Sequence, residues 1–163
     1  MKIPLLLNDK KIVIETSSPK ESLLTVLRRL NYISVKCGCA KGYCGSCMIL
    51  LDDKIVPSCI VPVALARECK ITTLEHFSKT EDYTDITKGF AKAGIHLCGY
   101  CNAGKIFSAW HILNNSAKVN RTYIKNQIKN LSSCCTDTEQ LTDGILYAID
   151  YKISRKEVYK NAK

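Results

Sequence analysis

The chain has 163 residues, with 24 Lys and Arg against 15 Asp and Glu for a net charge of +9, and ten cysteines. That length suits one ordinary domain or two small ones, and no apolar run is long enough for a transmembrane helix. The basic balance does not by itself make a nucleic-acid binder, because the lysines are scattered rather than interleaved with aromatic residues. The exception is the tail from Lys152 to Lys163, which reads as a solvated end or as a contact for something acidic.

The first apolar run, Ile3 to Leu7, is interrupted by Pro4 and ends in Asn8-Asp9-Lys10-Lys11, unlike the core of a signal peptide. The expectation is a reducing cytoplasm, where ten cysteines are better explained by metal than by disulfides. Lys2 to Leu7 and Lys11 to Glu15 flank an Asn-Asp turn and predict a hairpin. Ser17-Ser18-Pro19 then predicts a helix, with Ser18 as N-cap, Pro19 in the first helical position and Glu21 in the first turn. Leu23, Leu24, Val26, Leu27 and Leu30 keep helical period, and Arg28-Arg29 suit its C-terminal end.

The loop from Val35 to Cys47 carries the strongest signal in the chain. Cys39, Cys44 and Cys47 form C-x4-C-x2-C, with Cys59 as a fourth thiolate. That is the plant-ferredoxin spacing for a [2Fe–2S] cluster. Gly38, Gly42 and Gly45 allow such a loop to turn its amides toward sulfur. A structural zinc site instead shows two short knuckles separated by a spacer. Met48 to Leu51 and Lys54 to Val56 flank Asp52-Asp53 as a second hairpin, and Ile71 to Leu74 would close the sheet. Two strands, a helix, a cysteine loop, two strands and a last strand make a β-grasp over residues 1–77.

The polar stretch 78–85 reads as a linker, and residues 86–163 read as helical with a basic tail. Ile86 to Phe90 runs on to a helix stop at Gly94. Ala103 to Leu113, Tyr123 to Leu131 (capped by Asn120) and Leu141 to Ile149 complete a four-helix bundle. Within it lie Cys98-Gly-Tyr-Cys101 and Cys134-Cys135. A C-x2-C at a helix start places thiols where the dipole favours thiolate. Alone, the motif fits zinc or a redox dithiol equally well. Beside a ferredoxin-like domain, a second cluster is the better reading. Phe107 and Trp110 are most economically core residues, and His96 and His111 structural or surface ones. Cys37 and Cys69 have no assigned role beyond that of small apolar side chains.

The whole α+β pattern resembles the small iron–sulfur subunit of the molybdenum hydroxylases, the family of xanthine dehydrogenase, aldehyde oxidoreductase and carbon monoxide dehydrogenase. The matching residues are Val35-Lys36, Gly38-Cys39, Gly42, Cys44-Gly45, Cys47, Ser58-Cys59, Ile71 to Glu75, Phe90 to Gly94, Cys98 to Cys101, Gly104 and Cys135-Thr136. The resemblance implies two [2Fe–2S] clusters, an outer one on Cys39, Cys44, Cys47 and Cys59 and an inner one on Cys98, Cys101 and Cys135. It also implies a large molybdopterin-binding partner and an FAD-binding partner, with neither of those cofactors on this chain. Nucleic acid and membrane are not expected partners.

Departures from the family gather at the inner site. Leu97 stands where the family has a Gln that touches the pterin, and Asn102-Ala103-Gly104 replaces Thr/Ser-Pro-Gly. Aligned on Cys135-Thr136, the family's first cysteine of its last motif falls on Ser133 and its arginine on Cys134. Three arrangements follow: Ser133 ligates through oxygen, Cys134 moves inward, or the inner cluster is absent. Thiolate suits iron better than serine oxygen, which favours Cys134. No residue is a credible general base or nucleophile, so the chain reads as an electron-transfer subunit that is not catalytic alone. The alternative is a free-standing iron–sulfur carrier or regulatory module without a molybdenum enzyme.

Overall fold

The computed structural model describes residues 1–115, 119–132 and 134–161. The N-terminal half is a five-stranded mixed sheet, with strands β1 (Lys2–Leu7), β2 (Lys10–Glu15), β3 (Met48–Leu51), β4 (Lys54–Pro57) and β5 (Lys70–Thr72). The strand order is β2-β1-β5-β3-β4, with β1 and β5 parallel and the other pairs antiparallel. Both hairpins turn on residues in the left-handed region, Asn8 (φ 51°) with Asp9 (φ 63°) and Asp52 (φ 48°) with Asp53 (φ 61°). That geometry matches the twist of the flanking strands, and Asn and Asp tolerate it.

Alternation along β1 buries Ile3, Leu5 and Leu7 on one face. Helix α1 (Leu23–Arg29) covers that face with Leu23, Leu24, Val26 and Leu27. Its N-cap is Ser22, whose Oγ accepts from the Thr25 amide at 3.2 Å. The expected cap, Ser18, instead opens a turn in which its carbonyl accepts from the Glu21 amide. Pro19 therefore lies in a turn ahead of the helix, and Glu21 leaves the helix dipole to grip Arg29 at 2.7 Å.

The C-terminal half is built on α3 (Glu81–Lys92), α4 (Asn102–Asn115), α5 (Arg121–Ile128) and α6 (Thr138–Asn161), preceded by the single turn α2 (Leu74–Phe77). α3 ends in a Schellman motif: Ile95 N–H reaches the Phe90 carbonyl and Gly94 N–H the Ala91 carbonyl, with Gly94 at φ 72°. Asn120 caps α5 by accepting from the Tyr123 amide at 2.8 Å. Phe77 packs edge-on against Phe107 and Trp110, with centroids 5.3 and 5.9 Å apart.

Two expectations are corrected here. The stretch 78–85 is not a polar linker, since α3 begins at Glu81 behind the Thr80 cap. Nor is Lys152 solvated: it is buried, while α6 continues to Asn161 with most of its remaining residues exposed, as expected of the tail. Both errors have one cause. The acidic first turns of α3 receive the basic end of α6, with Lys152 Nζ 3.0 Å from Asp82 and Arg155 bonded to Asp82 and Asp85. Lys152 and Asp85 are buried by the pairing. Each charge run read alone looks solvated, whereas buried charges of this kind require a partner.

The two halves share packing. β3 is buried on both faces, with Ile49 in the sheet–α1 core and Leu50 in the helical core beside Met48 and Ile55. Within the bundle, α3 and α6 approach through Gly89, where an added Cβ would lie 2.4 Å from the Ala148 amide nitrogen and 2.5 Å from the Gly144 carbonyl oxygen. Backbone atoms cannot yield as a side-chain tip does. Gly89→Ala is expected to cost roughly 1–3 kcal/mol or more through overpacking, measured as a lowered midpoint in chemical denaturation. An unshifted midpoint would show that α3 and α6 can separate freely.

Candidate metal centres

The outer loop is an excursion between α1 and β3. It is closed at its base where the Lys36 amide donates to the Ser46 carbonyl at 3.0 Å. Inside it Ala40, Gly42 and Gly45 take positive φ (54°, 85° and 79°), which curls the chain and turns amides toward sulfur. The Cys39 amide lies 3.4 Å from Cys44 Sγ, and the Lys41 amide 3.3 Å from Cys39 Sγ. That donation from Lys41 holds the Cys39 thiol down to about 6. Cys59 enters from the single 3-10 turn Ser58–Ile60 that follows β4. Burial pushes its thiol up to about 11, helped by its hydrogen bond to Cys47. The four thiols therefore fall into two neighbouring pairs, Cys39 with Cys44 and Cys47 with Cys59.

This loop fits a [2Fe–2S] cluster on its own terms. Each iron of such a cluster takes two thiolates, which is how the sulfurs are grouped. Gly38 cannot carry a side chain, since a Cβ there would stand 2.7 Å from Cys44 Sγ. Ser46 Oγ is buried without a hydrogen-bond partner among the described residues, and a sulfur acceptor in the loop would satisfy it.

The inner group is gathered by separate segments. Cys98 and Cys101 immediately precede α4, while Cys134 and Cys135 lie between α5 and α6. The sulfurs of Cys98, Cys134 and Cys135 lie within 4.8 Å of one another, and Cys101 Sγ is 3.8 Å from Cys134 Sγ. Three thiols are thus mutually close and the fourth, Cys101, adjoins them through Cys134, a grouping that fits a second cluster. Cys134 is part of the group despite being one position out of register, whereas Ser133 lies outside the described residues. Hydrogen bonds from Ser132 and Cys101 hold Cys134 down to about 7. Burial raises Cys101, against the pull of the nearby Lys105 ammonium.

Sequence reasoning did not find the contacts that join the two loops. The Gly104 amide, in the first turn of α4, donates to the Gly45 carbonyl at 3.2 Å. An added Cβ on Gly104 would lie 3.0 Å from that oxygen. Lys36 Nζ donates to the Gly99 carbonyl, and Tyr100 Oη reaches the Cys37 carbonyl at 3.5 Å. Lys105, fully buried beside Cys101, was also missed. A Lys four residues after a helix-start cysteine lies on the same helix face, and that was the available signal.

The remaining cysteines stand apart. Cys69 donates weakly to the Leu65 and Arg67 carbonyls and is raised by burial, in keeping with a structural thiol. Cys37 is exposed, so it is not the packed apolar side chain expected. Leu97 packs against the helical core.

Fold and thiols together define a protein with two [2Fe–2S]-binding domains. A family profile described as "2Fe-2S iron-sulfur cluster binding domain" matches residues 5–72, and one described as "[2Fe-2S] binding domain" matches residues 73–146. The chain is 33% identical over 131 residues to a nicotinate dehydrogenase subunit of Pseudomonas putida, spanning 78% of this chain and 83% of that one. It is 34% identical over 133 residues to an aldehyde oxidoreductase of Megalodesulfovibrio gigas, but spans only 15% of that longer protein's length. Among solved structures, a chain of quinoline 2-oxidoreductase from Pseudomonas putida 86 superposes with a TM-score of 0.81 at 29% identity, covering 93% of this chain and 96% of its own. The chain belongs to the family of iron–sulfur subunits of the molybdenum hydroxylases. Among the described residues no helix is long and apolar enough to cross a membrane.

Proposed function

We propose that this chain is an electron-relay subunit. In this reading it takes electrons from a molybdopterin-binding partner and passes them to an FAD-binding partner or another acceptor, without catalysing substrate chemistry itself. Cys39, Cys44, Cys47 and Cys59 hold the outer [2Fe–2S] cluster, and Cys98, Cys101, Cys134 and Cys135 the inner one. A bound [2Fe–2S] cluster supplies reversible one-electron transfer. The residues of the chain supply ligation, hydrogen bonds to sulfur and a fixed separation between the two sites.

The observation that carries the reading is the direct contact of the two loops. The hydrogen bond from Gly104 to Gly45 joins a residue between two outer thiols to the helix turn that follows an inner one. Two metal sites with unrelated structural roles have no reason to share a peptide contact made possible by a missing side chain. The two relatives named above are by name an aldehyde oxidoreductase and a subunit of a nicotinate dehydrogenase, which supports a redox role over a zinc module. Leu97 bears on the partner. Its side chain offers no hydrogen bond and packs inward, so a pterin at this surface would be met by backbone or by the partner's own groups.

The ligand assignment has two tests. Cys44→Ser is expected to remove one [2Fe–2S] EPR signal, roughly halve the bound iron and weaken the first domain, because metal binding contributes folding energy. Cys37→Ser should change neither signal. Wild-type iron in the Cys44→Ser protein would end the outer assignment.

At the inner site Cys134→Ala should abolish the second signal and leave the first untouched. Retention of both signals would move the fourth ligand to Ser133 or to a group outside the chain.

The relay itself is tested by anaerobic affinity purification of the tagged chain from its native host. A red-brown complex with a molybdopterin-binding partner, whose clusters are reduced on adding the complex's substrate, is the expected result. A coloured chain recovered alone would favour a free-standing carrier, and a colourless zinc protein would remove the reading altogether.

A further inference from the structure

Lys105 lies in the first turn of α4 and is 1% exposed, one of the largest fully buried side chains among the described residues. Its Nζ is 3.1 Å from Cys101 Sγ and 4.0 Å from Cys135 Sγ. Among the described residues no carboxylate pairs with it. A buried ammonium without a counter-charge is costly enough that proteins rarely keep one. Elsewhere in this same chain the rule is obeyed, since the buried Lys152 has Asp82. Lysine often buries its stem and sends its head to water, but here the head ends on sulfur.

We propose that Lys105 is a positioning residue for redox poise, its ammonium acting as the counter-charge of the inner [2Fe–2S] cluster and raising that cluster's reduction potential. This rests on the reading that the inner thiols hold such a cluster. The chemistry follows from charge. Two ferric ions, two sulfides and four thiolates leave a net negative group, and reduction adds one further negative charge. A fixed cation in a dry site therefore stabilises the reduced form more than the oxidised form, and hydrogen bonds to ligand sulfur act in the same direction. The positive end of α4 is aimed at the same thiol. Among the described residues no side-chain cation is bonded to an outer sulfur, and Cys39 and Cys44 receive backbone amides instead. A cation bonded to ligand sulfur is thus found at one of the two sites among the described residues, and it would bias where an electron rests within the relay.

The test is an EPR-monitored redox titration of the iron-loaded full chain as wild type, Lys105→Met, Lys105→Gln and Lys105→Arg, with iron content measured for each. In Lys105→Met the reduced-to-oxidised ratio of the inner signal at fixed ambient potential should fall about tenfold, equivalent to a potential lower by about 59 mV for one electron. The outer signal should titrate as before. Lys105→Gln, which keeps a neutral donor, should fall between Met and wild type, and Lys105→Arg should restore most of the shift. A Lys105→Met protein with full iron and an unshifted inner signal would overturn the proposal. Should Met and Gln both lose the inner cluster, retention of it in Lys105→Arg would uphold the need for positive charge, and its loss there too would reduce Lys105 to packing. A wild type with iron for only one cluster would instead refute the inner-site reading, and this inference with it.

Discussion

The contact on which the rest of the molecule depends is the hydrogen bond from the Gly104 amide to the Gly45 carbonyl, 3.2 Å long. It requires two backbones to touch where each belongs to a loop crowded with cysteine. Glycine at 104 is what permits it, because a Cβ there would press on the Gly45 carbonyl at 3.0 Å, while Gly45 is suited to its φ of 79°. Lys36 and Tyr100 reinforce the contact from opposite sides, one reaching the Gly99 carbonyl and the other the Cys37 carbonyl. Polar contacts of this kind fix register more than they add stability. Apolar burial of Leu50 into the helical core supplies the adhesion, and the polar contacts determine which thiols face which.

How much of this was legible in the sequence depended on the range of the interaction that decides each feature. The outer ligands could be read directly, since C-x4-C-x2-C is a local constraint and the cluster geometry acts within one loop. The hairpins and the Gly94 helix stop were legible for the same reason. The Ser18 cap was misplaced by about one helical turn, because Ser18-Pro19 and Ser22 both carry N-terminal chemistry. Nothing local says which of them the sheet will accept.

The misread charged segments show the opposite limit. Glu81, Asp82 and Asp85 looked like a linker, and Lys152 and Arg155 like a solvated end, because partners 70 residues apart in sequence are invisible to a reading by windows. Burial alone would raise the Asp82 carboxyl, but the Lys152 hydrogen bond and the charges of Lys152 and Arg155 outweigh it and leave the group below its ordinary range. A depressed carboxylate contributes stability that is present above its unfolded pKa and is lost as pH falls through the folded value. Acid should therefore loosen the α3–α6 contact.

Two side chains that flank the Cys98–Cys101 motif point in opposite directions. At Leu97 an apolar side chain packs against the helical core. At Lys105 a cation is buried against thiols that backbone amides alone could have satisfied. The first offers no side-chain hydrogen bond, and the second adds electrostatic weight inside. Both concern the inner site, while the outer loop keeps its full set of thiols and glycines. The inner site, with Leu97 and a buried charge beside its thiols, is where this chain departs most from the family pattern. The outer loop has less freedom, because a change at Cys39, Cys44 or Cys47 would strike a ligand and one at Gly45 the backbone contact that joins the two sites.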